Sequence, residues 1–399
     1  MDYLYQVSSQ LISNASKLPE RSGPPNINWD AQLNLILGLR GVGKTTQLLH
    51  QARNRQEQGA HTLYISLDDF YFLEHRLFDT IEAFYKKGGE YLFIDEAHYQ
   101  DNWDRALKLA FDRYANLKIS VTGSSAIKIH VSKADLSRRA HFHSMPGLSF
   151  REYLNLKGGS HFGDVYSLEF LLGNHREIAQ EITKKPGLLG HFQTYLQEGY
   201  FPFCLRENIN INKQLRQLVE SIVDIDMSLI KGFALNERRQ ILKFLLYLSN
   251  KSPFQLNISR VSSSLRVDRN KVMHYLLALE DAGLLFFCNL ANSSKGTLTK
   301  PDKLFLASPN LYYALNPTGP NLGSVREAFV LNQLTLAEHL ITLHPEADFL
   351  IDQKYIFEVG GASKSRKQIL NLSNSFVLKD DIEVGYENVV PLWMIGLLY

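Results

Sequence analysis

The eight residues Gly38-Leu-Arg-Gly-Val-Gly-Lys-Thr45 constrain this chain more than any other stretch, because they fit G-x-x-x-x-G-K-[ST] at every position. They follow a short apolar run, residues 33–37, and precede a helical pattern, residues 46–58. A strand that feeds a glycine-rich turn and then a helix makes a phosphate cradle. The glycines let backbone N–H groups fold around an anion, and the helix N-terminus adds a favourable dipole. The spacing puts Gly38, Arg40, Gly41, Val42, Gly43, Lys44, Thr45 and Thr46 around the phosphates of a nucleotide. Lys44 is expected to reach the β and γ oxygens, and the Thr45 hydroxyl to ligate Mg²⁺.

Four apolar runs bounded by polar or glycine punctuation (33–37, 62–66, 91–94 and 118–122) read as strands buried on both faces. Helical patterns lie between them, so the expected fold class is α/β with a parallel sheet. Tyr91-Leu-Phe-Ile-Asp-Glu96 is one such strand and ends in two acids. Asp95 is expected to hold Mg²⁺ and Glu96 to polarise an attacking water, which favours ATP hydrolysis over nucleotide storage. Ile119-Ser-Val-Thr-Gly-Ser-Ser125 ends in hydroxyls, and Ser124 or Thr122 is placed to sense a γ-phosphate. Arg138 and Arg139 follow; a guanidinium there would stabilise transition-state charge, from its own chain or from a neighbouring subunit.

Composition narrows the rest. The chain has 399 residues, 43 Lys and Arg against 41 Asp and Glu, and two distant cysteines, Cys204 and Cys288. That length gives room for two to four domains. The cysteines exclude a disulfide framework and predict a cytoplasmic protein, and no apolar run is long enough to span a bilayer. The charge balance excludes a broadly cationic DNA-coating protein but not a local DNA contact. His130, His141 and His143 flank the arginine pair without metal-ligand spacing. Trp29 and Trp103 are expected to pack the edges of the nucleotide segment.

The phosphate loop, Ile-Asp-Glu96, Val-Thr-Gly-Ser-Ser125 and Leu-Ser-Arg-Arg139 together resemble the AAA+ superfamily ATPases of the archaeal/bacterial type. Pro146-Gly-Leu-Ser-Phe150 with Glu152-Tyr-Leu154 is similar to that family's Pro-Leu-Ser-Phe box, with one inserted residue. Arg139 falls where the family has its arginine, and Arg138 stands in place of the usual glycine. Tyr195-Leu-Gln-Glu-Gly-Tyr-Phe-Pro202 resembles the Gly-Gly-Phe-Pro element of the family's helical lid. The resemblance implies a P-loop ATPase core over 1–145, a helical lid over 146–235, a winged-helix-like domain over 236–300 and a restriction-endonuclease-like domain over 301–399.

Two helical patterns at 258–265 and 268–279, followed by the apolar run 284–288, suit a winged helix-turn-helix. Asp268 is its expected N-cap, and Arg269, Asn270, Lys271 and His274 are candidates to face DNA. In the last segment a helix is expected over 324–341 and strands over 347–351, 355–359 and 391–398. Nucleases of the implied fold place an acid on one strand and Glu-x-Lys on the next. Asp348 and Glu358 match as a second metal site, with Glu327 as the helix acid, but Gly360 stands where the lysine belongs. Lys364 or Lys367 would have to reach back, and the fold without cleavage is the favoured reading. The expected partners are ATP with Mg²⁺ and a DNA or protein partner; no membrane is implied, and oligomerisation is required only if Arg139 acts in trans. An ATP-gated binding module with little turnover and a nucleotide-stimulated nuclease are the competing readings.

Overall fold

A computed structural model describes residues 1–21, 26–125, 135–158, 162, 164–227, 237–250, 254–255, 257–291, 301–316, 319–365 and 368–399. His130, Lys367, most of the linker at 20–25 and most of the loop at 291–301 lie outside these residues, as does the expected lid boundary at 235. The chain forms two compact units, Met1–Gly147 and Leu148–Tyr399.

The first unit is built on β1 (Leu33–Leu37), β2 (Thr62–Ser66), β3 (Tyr91–Asp95), β4 (Lys118–Gly123) and β5 (His141–Ser144). All pair in parallel, in the order β2-β3-β4-β1-β5. Leu33, Leu35, Leu63, Ile65, Leu92, Ile94, Ile119 and Val121 form its buried core with Leu107 and Ile81 of the flanking helices. Because β1 and β3 both border β4, the loop after β1 and the acids ending β3 emerge along one edge of the sheet. The chain leaves β1 toward the far side and returns past it with β5. The carboxyl end of β1 is therefore a point where strand order reverses, the place where such sheets open a ligand crevice.

The strand β5 was not legible, since His-Phe-His-Ser has no apolar run; it is a mostly exposed edge strand. Helices Lys44–Glu57 and Trp103–Arg113 cover the sheet. The N-terminal helix Asp2–Ala15 packs against it through Ser8, whose hydroxyl accepts from the Tyr64 amide at 2.9 Å. Trp103 is a core residue, and Trp29 lies against Phe93 with ring centroids 6.2 Å apart.

The second unit opens with the helix Phe150–Gly158, started by a reciprocal cap: Ser149 Oγ accepts from the Glu152 amide at 3.1 Å, and Glu152 Oε2 from the Ser149 amide at 3.4 Å. Helices Leu168–Ile182, Leu188–Thr194 and Ile211–Ser221 follow. The Tyr195–Pro202 stretch becomes one turn of π-helix, Tyr195–Gly199, then a 3-10 turn, Pro202–Leu205. After the helix Arg238–Asn250 come β6 (Phe254–Gln255), helices Ile258–Leu265 and Arg269–Asp281, β7 (Leu285–Cys288) and β8 (Lys303–Leu306). The three strands pair antiparallel in the order β6-β8-β7. This small sheet therefore runs past residue 300, the boundary expected from sequence. Cys204 and Cys288 are buried and free.

A second sheet has the order β13-β12-β11-β10-β9, from β9 (Ile341–Leu343), β10 (Phe349–Ile351), β11 (Tyr355–Gly360), β12 (Ser375–Lys379) and β13 (Val389–Pro391). Strands β9, β10 and β11 form an antiparallel meander; β11, β12 and β13 are parallel. The expected helix ends at Leu336, and β9 begins at the last residue of the expected range, Ile341. The expected strand over 391–398 is instead a buried 3-10 helix, Leu392–Leu397. An uninterrupted apolar run has no periodicity with which to tell the two apart. Among the described residues no helix is long and apolar enough to cross a membrane.

Candidate active site

The loop after β1 closes on itself through two glycines in the left-handed region, Gly41 at φ 82° and Gly43 at φ 100°. These backbone angles are open to glycine and strained for other residues. Gly38 is needed for a different reason: a Cβ there would sit 2.4 Å from the Met145 carbonyl oxygen. Lys44, at the first turn of its helix, is buried, and its ammonium donates to the Gly38 and Leu39 carbonyls at 2.8 and 2.9 Å. The cation thus lies folded onto the loop it is expected to serve.

Asp95, at the end of β3, is only 3% exposed and is surrounded by hydroxyls. Thr45 Oγ1 donates to Oδ2 at 2.7 Å, Tyr64 OH to the same oxygen at 2.9 Å, and Thr122 Oγ1 to Oδ1. Burial, reinforced by the Asp95 charge, pushes the Tyr64 phenol well above its ordinary value, so it remains a donor. Thr45 and Asp95 supply hard oxygen donors side by side, the chemistry Mg²⁺ takes while keeping several waters. Among the described residues no group of three or more His, Cys, Asp or Glu is placed to hold a metal. A cation here would depend on Thr45, Asp95 and phosphate oxygens together.

Glu96 follows in the left-handed conformation at φ 52°, its amide donating to Thr122 Oγ1 at 3.2 Å. Its Oε2 lies 3.2 Å from His98 Nδ1. Burial, then the nearby Arg40 and Lys44 charges, pushes His98 down to about 4, so the contact joins a neutral imidazole to a carboxylate. The two candidate hydroxyls of β4 now separate. Thr122 is committed to Asp95 and the Glu96 amide. Ser124 Oγ is buried without a hydrogen-bond partner among the described residues.

Arg139 is not brought to this site. It precedes β5, whose first residue, His141, is in register with Asn34 near the start of β1. The loop leaves the other end of β1, and a five-residue strand spans ~16 Å. Arg139 instead pairs with Asp112 through Nε and Nη2, at 2.8 and 3.2 Å. On its own chain Arg139 therefore stands at the opposite end of β1 from the phosphate loop. Arg138 is exposed, and His143 bonds Asn34 Oδ1 at 3.0 Å.

Tyr64, His98 and Arg21 were not singled out from sequence. Tyr64 is a polar tip in a buried strand, and His98 lies two residues past an acid pair; both signals are weak without the strand order.

In the second unit, Asp268 caps its helix by accepting from the Lys271 amide at 2.9 Å. Arg269 and Asn270 are exposed, while Lys271 pairs with Glu237 at 2.8 Å. Asp348 and Glu358 face each other across β10 and β11, because Phe349 pairs with Phe357, and the Val359 amide donates to Asp348 Oδ2 at 2.8 Å. Lys364 Nζ contacts Glu358 Oε1, and Glu358 Oε2 is buried without a hydrogen-bond partner among the described residues. A Cβ on Gly360 would sit 2.5 Å from Lys364 Cγ, so the missing side chain makes room for the lysine stem. Glu327 pairs with Lys303, and burial pushes its carboxyl up to about 7.

Residues 30–154 match the model of a family described as an AAA domain, and residues 189–322 match a domain of unknown function. The parallel sheet and the loop geometry above make this an α/β P-loop core, and the first match shows that this core is similar to AAA domains. The chain is 28% identical over 395 residues to Uncharacterized protein MJ1637 of Methanocaldococcus jannaschii, covering 90% of this chain and 82% of that one. It is 23% identical over 314 residues to Uncharacterized protein MJ1544 of the same organism, covering 76% and 66%. Among solved structures it resembles the replication initiator DnaA bound to AMPPCP and single-stranded DNA at 17% identity, covering 69% of this chain and 88% of that chain, with a TM-score of 0.29. For C. elegans PCH-2 the identity is 15%, the coverage 69% and 66%, and the TM-score 0.24.

Proposed function

We propose that this chain is a Mg·ATP-hydrolysing switch whose turnover is coupled to its C-terminal modules. The observation that carries the reading is the Asp95 carboxylate held 2.7 Å from the Thr45 hydroxyl, beside a loop whose lysine is turned onto its own carbonyls. In the proposal Lys44 exchanges those carbonyls for phosphate oxygens. Thr45 and Asp95 hold Mg²⁺, Glu96 polarises the water, and the orphaned Ser124 hydroxyl meets the γ-phosphate. Arg139 serves the site of a neighbouring copy. The lid, winged-helix and nuclease-like divisions of the second unit, a cytoplasmic location and a DNA contact through Arg269 and Asn270 belong to the same proposal. Lys44→Ala should weaken binding of a fluorescent ATP analogue by about 10–100-fold, the loss expected for charge-assisted bonds to phosphate. Wild-type affinity in that variant would remove the reading.

A second centre is favoured by the buried Glu358 Oε2, which has no hydrogen-bond partner among the described residues, and by Lys364 laid across Gly360. Asp348 and Glu358 would hold a divalent cation beside a nucleic-acid phosphate. In a Lys44→Ala background, so that the P-loop does not contribute, bound Mn²⁺ measured by electron paramagnetic resonance should fall on adding Glu358→Gln. Equal Mn²⁺ binding by the two proteins would dismiss this centre, whatever the cutting activity.

A further inference from the structure

We propose that Arg21 is a positioning residue for the phosphate loop, a role that rests on the nucleotide reading above. Its side chain is buried at 8% exposure, and its guanidinium is bound by three backbone carbonyls among the described residues. Nη1 donates to Val42 O at 2.9 Å and to Pro146 O at 2.7 Å, and Nη2 donates to Gly147 O at 2.9 Å.

The contact with Val42 decides how the loop is set. Val42 stands between the two left-handed glycines, Gly41 and Gly43, where the peptide planes turn over. In a planar trans peptide the N–H points opposite to the preceding C=O. Fixing the Val42 carbonyl toward Arg21 therefore fixes the Gly43 N–H on the other face of that peptide, away from the guanidinium. An anion cradle works by turning N–H groups inward, which obliges its carbonyls to turn outward and find donors elsewhere. Arg21 is that donor for Val42. Gly43 on one side of this peptide leaves its φ free to follow a flip, so an external hold on the Val42 carbonyl sets the orientation.

The other two carbonyls show why an arginine is used. Pro146 and Gly147 follow β5, and this exit is itself stitched to the loop: the Met145 amide donates to Leu37 O at 2.7 Å, and Gly38 packs on Met145 O. A planar guanidinium can donate in several fixed directions at once, bridging the exit segment and the loop; an ammonium is a single point. Arg21 is thus anchored at Pro146 and Gly147 and also donates to Val42. Lys44 acts on different carbonyls, those of Gly38 and Leu39, and the two cations do not substitute for one another.

The test uses the full chain and fluorescent analogues of ADP and ATP. Arg21→Ala should weaken both by a similar factor, about 10–100-fold, because the Val42–Gly43 peptide serves phosphates common to the two. Free guanidinium at sub-denaturing concentration should restore part of the affinity, and Arg21→Lys should lose less than Arg21→Ala. A folded Arg21→Ala protein with wild-type affinity overturns the assignment. So does a loss that neither guanidinium nor Arg21→Lys recovers, since that marks general collapse rather than positioning. Should Arg21→Ala fail to fold, Arg21→Lys decides: reduced affinity at unchanged melting temperature supports positioning, and wild-type affinity overturns it. A wild-type protein that binds neither analogue instead removes the nucleotide reading, and the brace falls with it.

Discussion

Glu96→Gln should lower ATP turnover by about 10²–10⁴-fold, the range for losing a positioned general base, while analogue affinity stays at the wild-type value. The substitution keeps the shape of the side chain and removes its basicity. The setting of Glu96 argues that basicity is what the position provides. Holding a non-glycine residue at φ 52° costs about 1–3 kcal/mol, and here Thr122 retains the conformation by accepting the Glu96 amide. The one imidazole beside it in these contacts, His98, is held neutral by burial, so it offers Glu96 no cationic partner. Since His98 gains its proton only near pH 4, the turnover profile between about pH 5.5 and 8 should contain no limb from it. Single-turnover hydrolysis with saturating ATP checks the rate; wild-type turnover by Glu96→Gln would exclude it as the base.

How much of this site was readable follows from how local each part is. Lys44, Thr45, Asp95 and Glu96 lie in continuous runs whose strand-loop-helix or strand-end context is itself local. The hydroxyls around Asp95 come from separate elements, β2, β4 and the first turn of the helix Lys44–Glu57, and meet because β3 lies between β2 and β4. No spacing in the sequence carries that order, so the sequence alone does not separate Thr122 from Ser124 and gives no signal for Tyr64. The C-terminal pair shows the reverse. Asp348 and Glu358 were legible from position, but Gly360 read as a lost lysine. The turn after β11 brings Lys364 back over the glycine, a substitution in space that a fixed Glu-x-Lys pattern cannot register.

Arg139→Ala should have the other large effect, a fall in turnover of about 10³-fold or more, as when an arginine finger is withdrawn, with binding unchanged. Its position demands a particular form of this result. Arg139 and Asp112 lie at the strand-starting end of the sheet, and the phosphate loop lies at the other. One copy cannot apply both to the same nucleotide, but a head-to-tail contact would set the arginine end of one copy against the loop of the next, the heterologous arrangement that generates rings or filaments. The Asp112 pair is partly exposed, with Arg139 at 22% and Asp112 at 42%, so exchanging this carboxylate for a phosphate needs no deep desolvation. Arg139→Ala keeps an intact loop and Lys44→Ala keeps an intact arginine. Mixing the two inactive proteins should therefore produce turnover that neither has alone, rising more steeply than linearly with protein concentration. If the mixture stays inactive while wild-type turnover per subunit is independent of concentration, Arg139 is a structural partner of Asp112 and the hydrolytic site is complete within one chain.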